Sequence, residues 1–185
     1  KDGRYVGAVN DPTLAANERS RENTAKQNQA LRDRFAARAD VYGAAQLVEI
    51  DPAKPVFGRP ASADAVLTFR NVHNWVAAGN ADAYFRAFFA ALKPGGVLGV
   101  VDHRAKPGTD IETMKKSGYL TEALVIGLAT DAGFVLEARS EVNANAKDDT
   151  DHPNGVWTLP PVNRHEAADD ATYKAIGESD RMTLR

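Results

Sequence analysis

Asp64-Ala-Val-Leu-Thr-Phe-Arg-Asn-Val-His-Asn-Trp75, followed after a helical interval by Leu92-Lys-Pro-Gly-Gly-Val-Leu-Gly-Val-Val-Asp-His103, is the stretch from which the fold can be read. Ala65–Phe69 is a short apolar run of mostly β-forming residues, and its length and composition favour a buried strand over a helix. Asn80 or Asp82 can cap the helix between the two stretches. Tyr84, Phe85, Phe88, Phe89 and Leu92 then recur on one face of that helix. Pro94 cannot continue it, and Gly95 and Gly96 permit the turn of positive φ that ends it. Val97–Val101 is a second apolar run. Two strands joined through a helix make a right-handed βαβ unit with parallel strands. Ligands of such sheets bind outside the carboxyl ends of the strands. Those ends carry Arg70, Asn71, His73, Asp102 and His103.

Upstream, Arg4–Val9 reads as a strand, and Asp11-Pro12 as a helix start with an N-cap and Pro at the first helical position. Thr13–Ala39 reads as one long polar helix with a narrow apolar stripe at Leu14, Leu31 and Phe35. Ala45–Ile50 is the next strand, and the prolines and glycine of residues 52–63 make a loop. Downstream of the central unit, Ala105–Ser117 reads as a loop or mobile segment. Gly118–Ala132 reads as a helix stopped by Gly133, and Phe134–Val142 as a strand. Residues 143–180 read as a long irregular insertion, of the kind that is functional or disordered. Arg181–Arg185 starts a last strand. This order predicts a doubly wound α/β sheet, mostly parallel, closed by a C-terminal antiparallel hairpin.

The 185 residues suffice for one domain with a sizeable core. With 43% hydrophobic and 26% charged residues and a net charge of −2, no global field would attract nucleic acid. The apolar run Ala123–Ala129 is too short to span a membrane. No cysteine is present, which excludes disulfides, thiolate metal sites and a cysteine nucleophile. The chain begins at Lys1, so the compartment stays open between cytoplasm and periplasm.

The Leu92-Lys-Pro-Gly-Gly turn before an apolar strand resembles the turn before the fifth strand of class I S-adenosylmethionine-dependent methyltransferases. Asp64-Ala-Val-Leu with Val72-His73-Asn74-Trp75 resembles their fourth strand and its exit loop. Phe69-Arg-Asn-Val-His-Asn-Trp75 is most similar to a bacterial group of predicted methyltransferases. The resemblance implies a Rossmann-like sheet, S-adenosylmethionine as cofactor and methyl transfer to an acceptor. The charge favours a small-molecule acceptor over nucleic acid. Non-catalytic binding of cofactor or metabolite on the same fold is the alternative, and a dehydrogenase-type dinucleotide binder is a further rival. The family's glycine-rich turn has no counterpart here, because the chain holds no Gly-x-Gly. Arg4–Val9 matches the family's second strand, so the expectation is a single, truncated domain over residues 1–185. It would lack the family's first helix and strand and carry residues 143–180 as an insertion or lid. Upstream residues, a strand from a partner, or direct pairing of the two flanking strands could fill the gap.

The resemblance also assigns roles. Asn10 and Asp11 stand near the carboxylate that holds the cofactor ribose, although Asp11 can equally just cap a helix. Asp51, with Glu49 just before it, stands where a carboxylate accepts from the adenine amino group, the alternative being a solvated loop carboxylate before Pro52. Arg70 and Asn71 leave the fourth strand where it faces both sulfonium and acceptor, and Arg70 can hold an acidic substrate group or a carboxylate. His73 and His103 are the candidate general bases. The alternative for His73 is a ring packed beside Trp75. Asp102 and His103 are neighbours on a strand and need not touch. Asp148, Asp149, Asp151 and His152 read as a solvated acidic loop rather than a metal site, since their spacing fits no calcium loop. Trp157 reads as an anchor for the insertion or as an aromatic wall of a substrate pocket.

Overall fold

The structure is a computed structural model, and it describes residues 3–185. It divides into two compact units, one ending at Arg59 and the other spanning Pro60–Arg185.

The first unit is built on two parallel strands, β1 (Val6–Asn10) and β2 (Gln46–Ile50), with Asn10 level with Ile50. Between them lie a 3₁₀ turn (Pro12–Leu14), α1 (Glu18–Ala37) and the short α2 (Ala39–Tyr42). The single long helix expected over Thr13–Ala39 is therefore three pieces. Asp11 turns the chain by accepting from the Thr13 N–H at 2.8 Å, and the helix proper starts only where Asn17 accepts from the Ser20 N–H at 2.9 Å. Only Asn28, Ile50 and Pro55 are buried among the described residues of this unit. Asn28 ties α1 to the strands by donating to the Asn10 carbonyl at 3.0 Å.

The second unit holds β3 (Ala63–Phe69), α3 (Val72–Ala78), α4 (Ala81–Ala91) and β4 (Leu92–His103). Next come α5 (Ile111–Ser117), α6 (Glu122–Asp131), β5 (Arg139–Ser140), α7 (Asp170–Ile176) and β6 (Arg181–Leu184). The sheet order is β3-β4-β6-β5. β3 and β4 run parallel, and β6 is antiparallel to both β4 and β5. Among the described residues, β1 and β2 form one two-stranded sheet, and β3 is hydrogen-bonded to β4 at the edge of the four-stranded one.

Tyr84, Phe85 and Phe88 of α4 are buried with Leu92, Leu98 and Val100 of β4, each large side chain contributing about 1.5–3 kcal/mol. Phe89, expected on the same face, is 48% exposed because it lies at the edge of that stripe, edge-on to Phe134. The Lys-Pro-Gly-Gly turn is absorbed into β4 as a bulge. Ala63 pairs with Leu92 and Ala65 with Val97, and Gly95 takes a φ of 78° within the bulge.

Four expectations need correction. The exit loop Val72–Trp75 is the first turn of α3. The loop Ala105–Ser117 ends in α5, whose Asp110 N-cap accepts from the N–H groups of Glu112 and Thr113. Helix α6 starts at Glu122, after a Thr121 cap, rather than at Gly118. The strand Phe134–Val142 is reduced to Arg139–Ser140, since β6 offers it only Thr183 and Leu184 as partners.

The 143–180 segment is more ordered than expected, with 3₁₀ turns at Gly155–Thr158 and Ala167–Asp169 before α7. It is docked at Gly155, where a Cβ would lie 2.1 Å from the Ser117 carbonyl oxygen, so only glycine fits. Among the described residues no helix is long and apolar enough to cross a membrane.

Candidate functional site

The parallel register of β3 and β4 brings the candidate bases together at their carboxyl ends. Asp102, the penultimate residue of β4, is fully buried and is the hub. Its Oδ2 accepts from the N–H groups of Val72 at 2.7 Å and His73 at 3.4 Å. Its Oδ1 accepts from the His103 N–H at 2.8 Å and lies 2.9 Å from Nδ1 of His73. Asp102 thus caps α3 from β4 and orients the His73 ring. A carboxylate there selects the tautomer with the proton on Nδ1 and leaves Nε2 as the acceptor. His73 is buried against Asp102 and the edge of Trp157 (centroids 6.1 Å apart), not against Trp75. Trp75 instead stacks on Tyr84 at 4.0 Å.

His103 is the second ring, with its centroid 5.0 Å from that of His73. Its Nδ1 is 2.5 Å from the buried Ser179 hydroxyl, and its ring is edge-on to Tyr119 at 6.2 Å. Burial pushes the His103 pKa down to about 4. The Asp102 charge opposes that shift, while His73, Arg70 and Arg181 reinforce it. At neutral pH His103 is uncharged. Asp102 and His103 do not form a side-chain pair, as the alternation of a strand requires.

Arg70 and Asn71 come directly after β3. Arg70 is exposed with a φ of 55°, and its N–H donates to the Val101 carbonyl at 2.8 Å. Asn71 donates to the Thr68 hydroxyl at 3.3 Å. In the first unit, Asp11 and Asp51 sit side by side at the carboxyl ends of β1 and β2, where the Asp11 N–H donates to the Ile50 carbonyl at 2.9 Å. Oδ1 of Asp11 is engaged by Thr13, whose hydroxyl and N–H hold the carboxyl below the usual carboxylate value. Oδ1 of Asp51 accepts from the Ala53 N–H at 2.8 Å. Each Oδ2 has no partner among the described residues, so both carboxylates keep an oxygen for a hydroxyl or amino donor. Asn10 ends β1 and is exposed, and Glu49 is taken by Arg32 at 2.9 Å and Asn28 at 3.3 Å.

The acidic loop is not solvated as expected. The Asp148 side chain is fully buried and accepts from Tyr119 Oη at 2.8 Å and the Asp180 N–H at 2.7 Å, with His152 Nε2 at 2.8 Å. Only Asp149 and Asp151 are exposed. Burial, then the bond to Asp148, raises the Tyr119 pKa well above its usual value. This network holds the 143–180 segment against the strand ends and delivers Trp157 and Ser179 to the two histidines. Ser179, Tyr119 and Arg181 were not visible in the sequence. Only the register that sets Arg181 opposite His103 brings Ser179 close.

No protein-family model matches the sequence, and no curated protein sequence matches it. Solved structures do. The [4+2]-cyclase SpnF superposes with a TM-score of 0.60 at 14% identity, over 98% of this chain and 73% of that one. A chain of the complex between the Haloferax volcanii Trm112 methyltransferase activator and a candidate methyltransferase superposes at 0.50 and 14% identity, over 100% and 81%. The neocarzinostatin-pathway O-methyltransferase NcsB1, solved with S-adenosyl-L-homocysteine and 1,4-dihydroxy-2-naphthoic acid, gives 0.47 at 21% identity over 74% of this chain and 45% of that one. The chain has the mixed α/β fold of class I S-adenosylmethionine-dependent methyltransferases.

Proposed function

We propose that this protein transfers a methyl group from S-adenosylmethionine to a hydroxyl of a small-molecule acceptor, with His73 as the general base. The observation that carries this reading is the buried Asp102–His73 pair, 2.9 Å apart, at the carboxyl ends of two parallel strands of a methyltransferase fold. S-adenosylmethionine supplies the electrophilic methyl group. The acceptor oxygen forms the new O–C bond as the C–S bond breaks, and its proton passes to Nε2 of His73. Asp102 keeps the Nδ1 proton and stabilises the imidazolium that results. His103, neutral beside it, adds no competing charge, and the 143–180 segment with Trp157 keeps water from the ring.

For the cofactor, the free carboxylate oxygens of Asp11 and Asp51 suit ribose hydroxyls and the adenine amino group, with Asn10 beside Asp11. Arg70 and Asn71 stand at the exit assigned to the cofactor's sulfonium end and the acceptor. The similarity to bacterial methyltransferases rests on Phe69–Trp75 and Leu92–Gly96. A fold shared with a cyclase does not fix the reaction.

The test is incubation with methyl-labelled S-adenosylmethionine and a panel of hydroxylated metabolites. Labelled product is expected, and His73→Asn should lower turnover by about 10²–10⁴-fold with cofactor affinity kept. Cofactor binding with no transfer to any acceptor would favour the non-catalytic alternative. Wild-type turnover in His73→Asn would remove the base and leave proximity as the mechanism.

A further inference from the structure

The rim of the histidine pair is cationic, although the whole chain has a net charge of −2. Arg70 leaves β3 in a left-handed conformation, φ 55°, which a non-glycine residue seldom adopts. Its backbone is pinned beside β4 by the 2.8 Å bond to Val101. Among the described residues its guanidinium has no hydrogen-bond or ion-pair partner. Arg181 opens β6 directly opposite His103. Its terminal Nη2 is 2.5 Å from Glu178, but its Nε is buried without a partner. A buried guanidinium donor left unpaired is costly, and native structures seldom tolerate one without a reason. Arg164 lies 5.9 Å over the ring of Trp157, whose edge faces His73. Two nearby carboxylates are already committed: Asp102 to its four donors and Glu178 to Arg181.

Arg181 opposite His103, the unpartnered Arg70 at the end of β3 and the indole of Trp157 beside His73 point to a subsite for a planar anion. We infer that the methyl acceptor carries an oxyanion, a carboxylate or a phosphate, which Arg70 and Arg181 hold while its hydroxyl faces Nε2 of His73. Trp157 supplies the wall against which the acceptor's ring lies. The field of Arg70 and Arg181, which also helps keep His103 neutral, favours the anionic form of the acceptor at the point of proton loss. This inference rests on the methyl-transfer reading for the word acceptor, but the anion subsite can be measured without any transfer.

The experiment is titration of the full chain, ¹⁵N-labelled at histidine, with benzoate, phenyl phosphate and neutral benzamide, each with and without saturating S-adenosyl-L-homocysteine. Benzoate or phenyl phosphate should shift the imidazole signals of His73 and His103 in both conditions, and the tighter of the two identifies the oxyanion. Benzamide should leave them in place. Arg70→Gln, an exposed change that should not disturb folding, is expected to weaken anion binding by about 10–100-fold, the usual loss for a charge-assisted hydrogen bond. Arg181→Gln should do the same if it folds, and Arg70→Gln decides the matter if it does not. Absence of a shift with either anion, equal shifts with benzamide, or unchanged affinity in Arg70→Gln would each overturn the inference. So would displacement of benzoate by S-adenosyl-L-homocysteine, because the arginines would then serve the cofactor's own carboxylate. Anion binding in a protein that transfers no methyl group would sink only the methyltransferase reading. Rapid methylation of neutral acceptors without anion binding would sink only this one.

Discussion

Replacing Asp102 by Asn isolates the group on which the histidine site depends. The carboxylate receives three backbone N–H groups, at 2.7, 2.8 and 3.4 Å, and lies 2.9 Å from His73 Nδ1. An amide keeps only one acceptor oxygen. If that oxygen serves Val72 and His73, the NH₂ faces the His103 N–H, and a buried donor is left unmade at about 1–3 kcal/mol. The remaining bonds also lose their charge assistance, so the total destabilisation should reach about 2–4 kcal/mol. For a chain of this size, 1 kcal/mol moves Tm by about 2–4 °C, so Tm should fall by about 4–16 °C. The amide can also donate to His73 Nδ1, which would flip the tautomer and put a proton on Nε2, where the proposed base must accept one. Urea unfolding at about pH 7.5 measures the first effect, and the ¹⁵N chemical shifts of the His73 ring measure the second. A variant within about 0.5 kcal/mol of the parent, the range of an ordinary surface substitution, would refute the argument that Asp102 organises the site.

Other groups give further expected outcomes. His103 has a folded pKa of about 4 against about 6.5 when unfolded, so the unfolded chain binds the extra proton between those values. Stability should therefore be full above about pH 6.5 and fall by up to about 3 kcal/mol as pH drops toward 4, a loss that His103→Gln should largely abolish in denaturant titrations. Tyr119→Phe removes the hydroxyl that donates to buried Asp148 and should cost about 1.5–3 kcal/mol, read by thermal unfolding. Asp51→Ala should weaken S-adenosylmethionine binding by about 0.5–1.5 kcal/mol without unfolding the chain, and unchanged calorimetric affinity would remove Asp51 from the cofactor site.

Much of the central unit was legible because its signals are local. The apolar runs at Ala65–Phe69 and Val97–Val101 and the aromatic stripe of Tyr84, Phe85 and Phe88 define strand, strand and helix without reference to anything distant. Helix α3 was not legible, because two of its first N–H groups are satisfied by Asp102, about thirty residues on, rather than by a neighbouring cap. The strand expected at Phe134–Val142 failed for the complementary reason. Its alternation is real, but a strand needs a partner, and β6 pairs with only two of its residues. Of the candidate site, His73 and His103 could be named from the strand ends. The division of labour between them could not, since it depends on which ring Asp102 meets. The buried state of Asp148 was also invisible, because its partners Tyr119, His152 and Asp180 converge only in three dimensions. The polar composition around it reads as a surface loop.

Binding of S-adenosylmethionine by this fold underlies the proposed function, and calorimetric titration of the protein with S-adenosyl-L-homocysteine tests that binding without any acceptor. Saturable binding at one site per chain is expected, weakened by Asp51→Ala and by Asp11→Ala, with no comparable heat from NAD. Binding of NAD in its place, or no binding of S-adenosyl-L-homocysteine, would be incompatible with the proposed function.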